Sequence, residues 1–213
     1  MTRTTSTNAN TGSDGDEQDN LARLVDAMLQ LVAADGWRPI TLGAVALRAG
    51  VAMSDAHALC GDRVGLLIAY ARRVDVAACA DAEAGSDADT RYDELLDILM
   101  RRFEILNANR EAVARLLGEL PADPCTLLRC LPAARRSFAG LARAAGYPDL
   151  GIAGMAMTKA LTAVWLMTQR DWLRDDTPDL AATMASLDRN LRRAIDLLAP
   201  LVGHPVETAT DEV

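Results

Sequence analysis

The sequence predicts an all-α protein of about nine helices, a three-helix head followed by a larger helical bundle. Apolar residues recur at three- and four-residue steps in segment after segment, which lays stripes along helices. Half of the 213 residues are hydrophobic but only 4% are aromatic, and alternating β-branched runs are missing. Between Leu21 and Ile68, glycine, proline and hydroxyl residues punctuate the chain at helix-turn-helix spacing.

The head comes first, over residues 21–68. Leu21, Leu24, Val25, Met28, Leu31 and Val32 form the stripe of its first helix. Gly36 follows as a C-cap. Pro39 cannot continue a helix, and Thr41 offers an N-cap hydroxyl to the next one. The second helix, about residues 42–49, is expected to bury Leu42, Val45 and Ala46. Gly50 supplies the sharp turn and Val51 anchors it. A third helix starts near Ser54, with Asp55 close to its positive end, and stops around Cys60-Gly61. In such a module the second helix of the pair enters a major groove.

The segments Leu31 to Trp37 (LVAADGW), Thr41-Leu42, Ala46 to Val51 (ALRAGV) and Gly61-Asp62-Arg63 resemble the TetR family of bacterial transcriptional regulators. The likeness extends over some fifty positions. It implies a homodimer that binds operator DNA. On that reading Arg38, Thr41, Arg48, Ser54, His57 and Arg63 of this sequence would hold DNA, and Met53 would touch a thymine methyl. The sequence departs from the family in the third helix. That helix usually opens with small polar and basic residues, followed by aromatics and a histidine. Here it reads Ala52-Met53-Ser54-Asp55-Ala56-His57-Ala58-Leu59-Cys60, without Arg, Lys or an aromatic ring. A histidine in this position is more often a surface or half-buried residue of the helix than a DNA contact.

Charge follows the same line. Between Leu21 and Asp75, Arg23, Arg38, Arg48, Arg63, Arg72 and Arg73 face Asp26, Asp35, Asp55, Asp62 and Asp75, while the whole chain carries −8. Phosphate neutralisation supplies most non-specific DNA affinity, so a strong binder is expected to show a basic stripe. The sequence shows none, although a dimer doubles the contacts and Arg38, Arg48 and Arg63 can still cluster on one face.

Residues 1–20 are Thr, Ser, Asn, Gly and Asp with little apolar content, and read as a disordered acidic tail. They lack the apolar core of a signal peptide. Residues 203–213 read as a flexible tail. Cys60, Cys79, Cys125 and Cys130 form no C-x-x-C pair, so neither a zinc site nor a disulfide framework is expected, and a reducing cytoplasm is the simplest compartment. No stretch of apolar residues is long enough to span a membrane. No cofactor is expected.

The body, residues 69–202, is expected to bind a ligand and to dimerise. A long fourth helix runs from about Asp62 to Ala84, and Gly85 to Thr90 is a linker. A fifth helix carries Leu95, Leu96, Leu99, Met100 and Phe103, and a sixth carries Val113, Leu116, Leu117 and Leu120. Pro121, Pro124 and Pro132 break the next stretch, so the seventh helix is expected only from Ala133 to Ala145. Residues 152–173 are apolar nearly all round, the mark of a helix buried on most sides. In the ninth helix Leu180, Met184, Leu187, Leu191, Ile195 and Leu198 recur at coiled-coil spacing. This seam would join a second copy in a four-helix bundle, or else pack within its own chain.

The segments Arg101 to Val113, Thr158 to Leu173 and Asp175 to Asn190, together with Asp35-Gly36-Trp37, also resemble the ubiquinone-biosynthesis accessory proteins that share the TetR fold. That resemblance implies binding of isoprenes or other lipids and their presentation to a hydroxylase partner. The family's terminal amphipathic membrane helix has no counterpart after Leu198. Met100, Phe103, Met155, Met157, Trp165, Met167, Trp172 and Met184 would line a pocket for an apolar small molecule or lipid, since methionine adapts to irregular ligands. Taken singly, each is ordinary core.

Enzymatic chemistry has little support. His57 and His204 lack sequence partners for nucleophilic or metal work. The acids from Asp171 to Asp179 read as a solvated charge run. Gly151 to Gly154 lacks the spacing of a dinucleotide fingerprint. Two functions remain. One is a one-component regulator, whose bundle ligand makes helix four pivot and moves the recognition helices. The other is a lipid-binding accessory protein that has kept the fold and lost the DNA surface.

Overall fold

A computed structural model describes residues 10–82 and 87–202. Among these the chain forms nine α-helices, one turn of 3-10 helix and no strand. The helices are α1 (Asn10–Asp35), α2 (Leu42–Ala49), α3 (Met53–Cys60), α4 (Arg63–Ala78), α5 (Ala88–Asn107), α6 (Arg110–Glu119), α7 (Pro124–Ala144), α8 (Gly151–Trp172) and α9 (Ala181–Val202). No helix among the described residues is long and apolar enough to cross a membrane.

The chain divides into two compact units. One comprises the residues up to Arg72 with Asn109–Cys130, and the other comprises Arg73–Ala108 with the residues from Leu131 onward. The expected boundary at 68/69 therefore shifts to Arg72. Residues 109–130, expected in the body, cluster with the head.

In the first unit α1 packs against α2, α3 and α6. Leu24, Val25, Met28 and Val32 of its stripe are buried, with Trp37 just beyond its end. Thr41 caps α2, its hydroxyl accepting from the Ala44 amide at 3.2 Å. Gly50 ends α2 in the left-handed region at φ 64°, where a side chain would be strained. The Val51 amide closes the turn on the Ala46 carbonyl at 3.0 Å. Asp62 caps α4 through the amides of Val64 and Gly65 at 2.9 and 3.0 Å.

Several expectations need correction. Helix α1 begins at Asn10, so residues 10–20 of the expected tail are helical; Asp19 and Arg23, one turn apart, pair at 3.3 Å. Residues 1–9 and 203–213, including His204, lie outside the described residues. Helix α4 ends at Ala78, not Ala84, because the Ala80 and Ala82 amides turn back to Ala77 and Cys79. Asp87 caps α5 by accepting from the Thr90 amide at 2.8 Å, so residues 88–90 of the expected linker are helical. Helix α7 starts at Pro124 and passes through Pro132. Pro124 occupies the first helical position, where its missing N–H costs nothing. Asp123 caps it by accepting from the Thr126 amide at 3.1 Å. Pro132 leaves the Leu128 carbonyl without its helical donor, and the helix bridges the gap.

In the second unit α8 packs on α9, and α5 also contacts α9. Leu95, Ile98, Leu99, Phe103, Leu141, Met157, Leu161, Leu187 and Leu191 form its core. Helix α8 is less enclosed than expected. Ile152, Met155, Leu166 and Met167 are exposed. Leu180, at the N-terminus of α9, holds a left-handed backbone at φ 52° although it is not glycine, and its side chain is only 3% exposed. The four cysteines are unpaired.

Candidate functional site

The head positions α3 through buried Ala56 on its inner side, while Leu59 and Cys60 are half-buried. Met53, Ser54, His57 and Ala58 lie at steps of one, three and one, so they share the outer face. All four are exposed, Met53 at 51%. Their polar groups are partly committed. The Ser54 hydroxyl donates to Asp55 Oδ1 at 3.0 Å. His57 Nδ1 lies 2.7 Å from the Gly61 carbonyl oxygen. A carbonyl only accepts, so Nδ1 carries a proton.

The arginines expected beside this face have different fates. Arg38 has an exposed side chain, while its backbone amide donates to Glu119 at 3.1 Å. Arg48 donates from Nε and Nη2 to the Gln30 side-chain oxygen at 3.1 and 3.0 Å. Arg63 turns inward. Its Nη1 reaches the carbonyls of Trp37, Arg38 and Ile40 at 3.1–3.2 Å, and its Nη2 pairs with Asp123 at 3.2 Å. Its guanidinium also sits 4.8 Å from the centre of the Trp37 ring. Arg63 is thus a strut of the head, a role that the resemblance to a DNA-contacting position did not imply.

Sequence reasoning missed three more parts of this network. Glu119 receives the Trp37 and Arg38 amides, Asp123 receives Arg63, and Arg129 pairs with Asp62 at 2.7 Å. The Thr126 hydroxyl, first, and the Thr126 amide hold the Asp123 carboxyl below the usual carboxylate range. The Arg129 hydrogen bond does the same for Asp62. Asp123-Pro124 is a readable cap-and-first-turn signal; the pairing of Glu119 with Trp37 across 82 residues has no local signal. Together Arg38, Thr41, Asp62, Asp123, Cys125 and Arg129 rim a groove of about 500 Å³.

The eight residues expected to line a ligand pocket do not converge. Met100, Phe103, Met157, Trp165 and Trp172 are buried, and Met155, Met167 and Met184 are exposed. Phe103 stacks on Trp165 with ring centres 4.2 Å apart, and Trp172 lies 6.1 Å from Phe103. Arg102, 8% exposed, lies over Trp165 at 4.4 Å and pairs with Asp75 at 3.3 Å. These side chains fill the middle of the second unit. A separate hollow of about 280 Å³ is bounded by Glu104, Asn107, Pro178, Asp179 and Leu180.

The expected dimer seam is also redistributed. Leu180, Leu187, Leu191 and Leu198 are buried within the chain, Ile195 is half-buried and Met184 is exposed. The seam packs on α8 of its own chain, so its buried leucines are not open to a second copy.

The acidic segment is not a fully solvated run. Asp175, 3% exposed, accepts from the amides and hydroxyls of Thr177 and Thr183 at 2.6–3.1 Å. The Thr177 hydroxyl, first, holds its carboxyl far below the usual range. Asp171 accepts from the Ser186 hydroxyl.

The arrangement of helices decides the comparison with solved structures. A TetR transcriptional regulator from Nitrosomonas europaea ATCC 19718 superposes with a TM-score of 0.63 at 20% identity, over 82% of this chain and 96% of that one. A TetR transcriptional regulator from Rhodococcus sp. RHA1 gives 0.58 at 18% identity, over 87% and 99%. A putative TetR-family regulator from Mesorhizobium loti MAFF303099 gives 0.52 at 10% identity, over 85% and 97%. The fold is that of the TetR regulators. No protein-family model and no curated relative matches the sequence. In the TetR fold of this chain, α2 and α3 are the helix-turn-helix pair, and α8 and α9 are the last two helices of the body.

Proposed function

We propose that this chain is a homodimeric one-component transcriptional regulator. The observation that carries the reading is the helix-turn-helix head, with a solvent-facing α3 backed by buried Ala56, in a fold that matches solved regulators over more than four-fifths of the chain. Met53, Ser54 and His57 face the bases, while Arg38, Thr41 and Arg48 lie against phosphates. Two copies join through the exposed apolar side chains of α8, namely Ile152, Met155, Leu166 and Met167, with Met184 of α9. An apolar effector enters the second unit by parting the Phe103–Trp165 stack, and so changes the separation of the two α3 helices.

A second reading, the lipid-binding accessory protein, is favoured by the absence of Arg and Lys from α3. Against it stands the aromatic packing of Phe103 on Trp165, with Trp172 close by, which a lipid would have to part.

The test is a mobility shift with a fragment of the chain's own promoter. A regulator retards it at nanomolar protein and loses affinity as salt is added. Absence of a shift at low salt, together with isoprenoid or fatty lipid in an extract of the purified protein, selects the accessory reading.

A further inference from the structure

Resting on the regulator reading, we propose that α3 reads thymine C5-methyl groups rather than guanine edges. Five exposed side chains line α3, namely Met53, Ser54, Asp55, His57 and Ala58, and none is Arg, Lys, Asn or Gln. The bidentate pairings that select guanine O6 and N7, or adenine N6 and N7, are therefore closed to it. What it offers instead is apolar contact and acceptors. Met53 and Ala58 are exposed carbon surfaces on that face. In its neutral form His57 presents Nε2 as an acceptor, because Nδ1 then donates to the Gly61 carbonyl. Asp55, exposed beside them, accepts from the Ser54 hydroxyl.

The major groove answers this surface in one way. Thymine alone presents a methyl group, and adenine and cytosine present amino donors to acceptors such as His57 and Asp55. A guanine edge presents two acceptors, and the Ser54 hydroxyl on this face already donates to Asp55. Met53 sits in the first turn of α3, the part of a recognition helix that reaches base edges. A flexible thioether there adapts to a methyl group without needing a fixed angle.

The experiment uses the full chain and duplexes enriched from a randomised pool at low salt. Each thymine of an enriched duplex is then replaced by deoxyuridine, which removes only the C5-methyl. The expected result is a three- to fivefold loss of affinity per contacted methyl, roughly what burying one such group contributes. Met53→Ala, at an exposed position that leaves the core intact, is expected to abolish the loss at one position of each half-site and leave it at the others. Unchanged affinity after complete replacement by deoxyuridine overturns the proposal and leaves the regulator reading standing. So does discrimination that disappears when guanine is replaced by 7-deazaguanine. Failure to enrich any duplex overturns the regulator reading and the methyl-reading proposal with it.

Discussion

Glu119 Oε2 accepts from the consecutive backbone amides of Trp37 and Arg38, at 3.0 and 3.1 Å. Charge-assisted bonds to amides are stronger than neutral ones, and Trp37 is fully buried. Glu119→Ala is expected to lower stability by about 1–3 kcal/mol, towards the smaller figure because the carboxylate is half-buried. Glu119→Gln, which keeps an acceptor oxygen, is expected to lose less. Thermal unfolding of the two variants checks this; equal losses would show that the side chain acts through packing alone.

Arg63 and Arg38 look alike in sequence and are expected to behave differently. Arg63 serves three carbonyls and Asp123, and its side chain is 30% exposed. Arg63→Ala is expected to cost about 2 kcal/mol of stability. The exposed Arg38 side chain is expected to be dispensable for folding, so Arg38→Ala weakens DNA binding several-fold and leaves the melting temperature unchanged. Paired melting and mobility-shift measurements separate the two roles.

Asp175 gives the second unit a defined sensitivity to acid. Its folded-state carboxyl is held well below its unfolded value by the hydroxyls and amides of Thr177 and Thr183. The stabilisation is therefore complete above the unfolded pKa of about 4 and is lost as pH falls further towards the folded value. Urea titrations from pH 6 down to pH 3 are expected to show a fall in stability that is shallower in Asp175→Asn. Identical pH dependence in the two proteins would contradict this.

Arg102 and Asp75 form a second critical pair in the same unit. Arg102→Met leaves Asp75 without its partner at 3.3 Å and removes the cation over Trp165. The loss is expected to be about 2–4 kcal/mol. The double variant with Asp75→Asn is expected to lose less than the sum of the single changes, because the two sites are in contact. An additive double-variant cycle would refute the coupling.

The proposed dimer has its own handle. Leu166→Asp places a charge in the exposed stripe of α8, at a side chain that is 57% exposed. Sedimentation is expected to show a folded monomer at concentrations where the parent chain is dimeric.

Much of this structure was legible in the residues. Thr41 as a cap, Gly50 as a left-handed stop and the stripe from Leu24 to Val32 are local rules, and the chain obeys them. Periodicity also showed that Leu187 and Leu191 are buried, but it could not say against what. A stripe records that a face is covered, and the cover proved to be α8 of the same chain. The inward turn of Arg63 was hidden because its partners Asp123 and Ile40 are distant in sequence and say nothing in isolation. Pro132 misled for a different reason. The rule against proline inside a helix counts one lost hydrogen bond, and the rest of α7 outweighs it. The candidate pocket residues divide between core and surface because residue type does not specify direction: Met157 of α8 is buried, while Met155 and Met167 are exposed.

Leu180 puts two opposing forces at one corner of the chain. Its left-handed backbone costs about 1–3 kcal/mol in a residue with a Cβ, and sinking the isobutyl group returns a similar amount. Glycine there would relax the backbone while surrendering the anchor, whereas alanine would keep the torsion and surrender the anchor as well. The customary ranking of alanine above glycine is thus inverted at the threshold of α9. Whatever loosens that anchor also frees the backbone to revert to the ordinary right-handed side of conformational space.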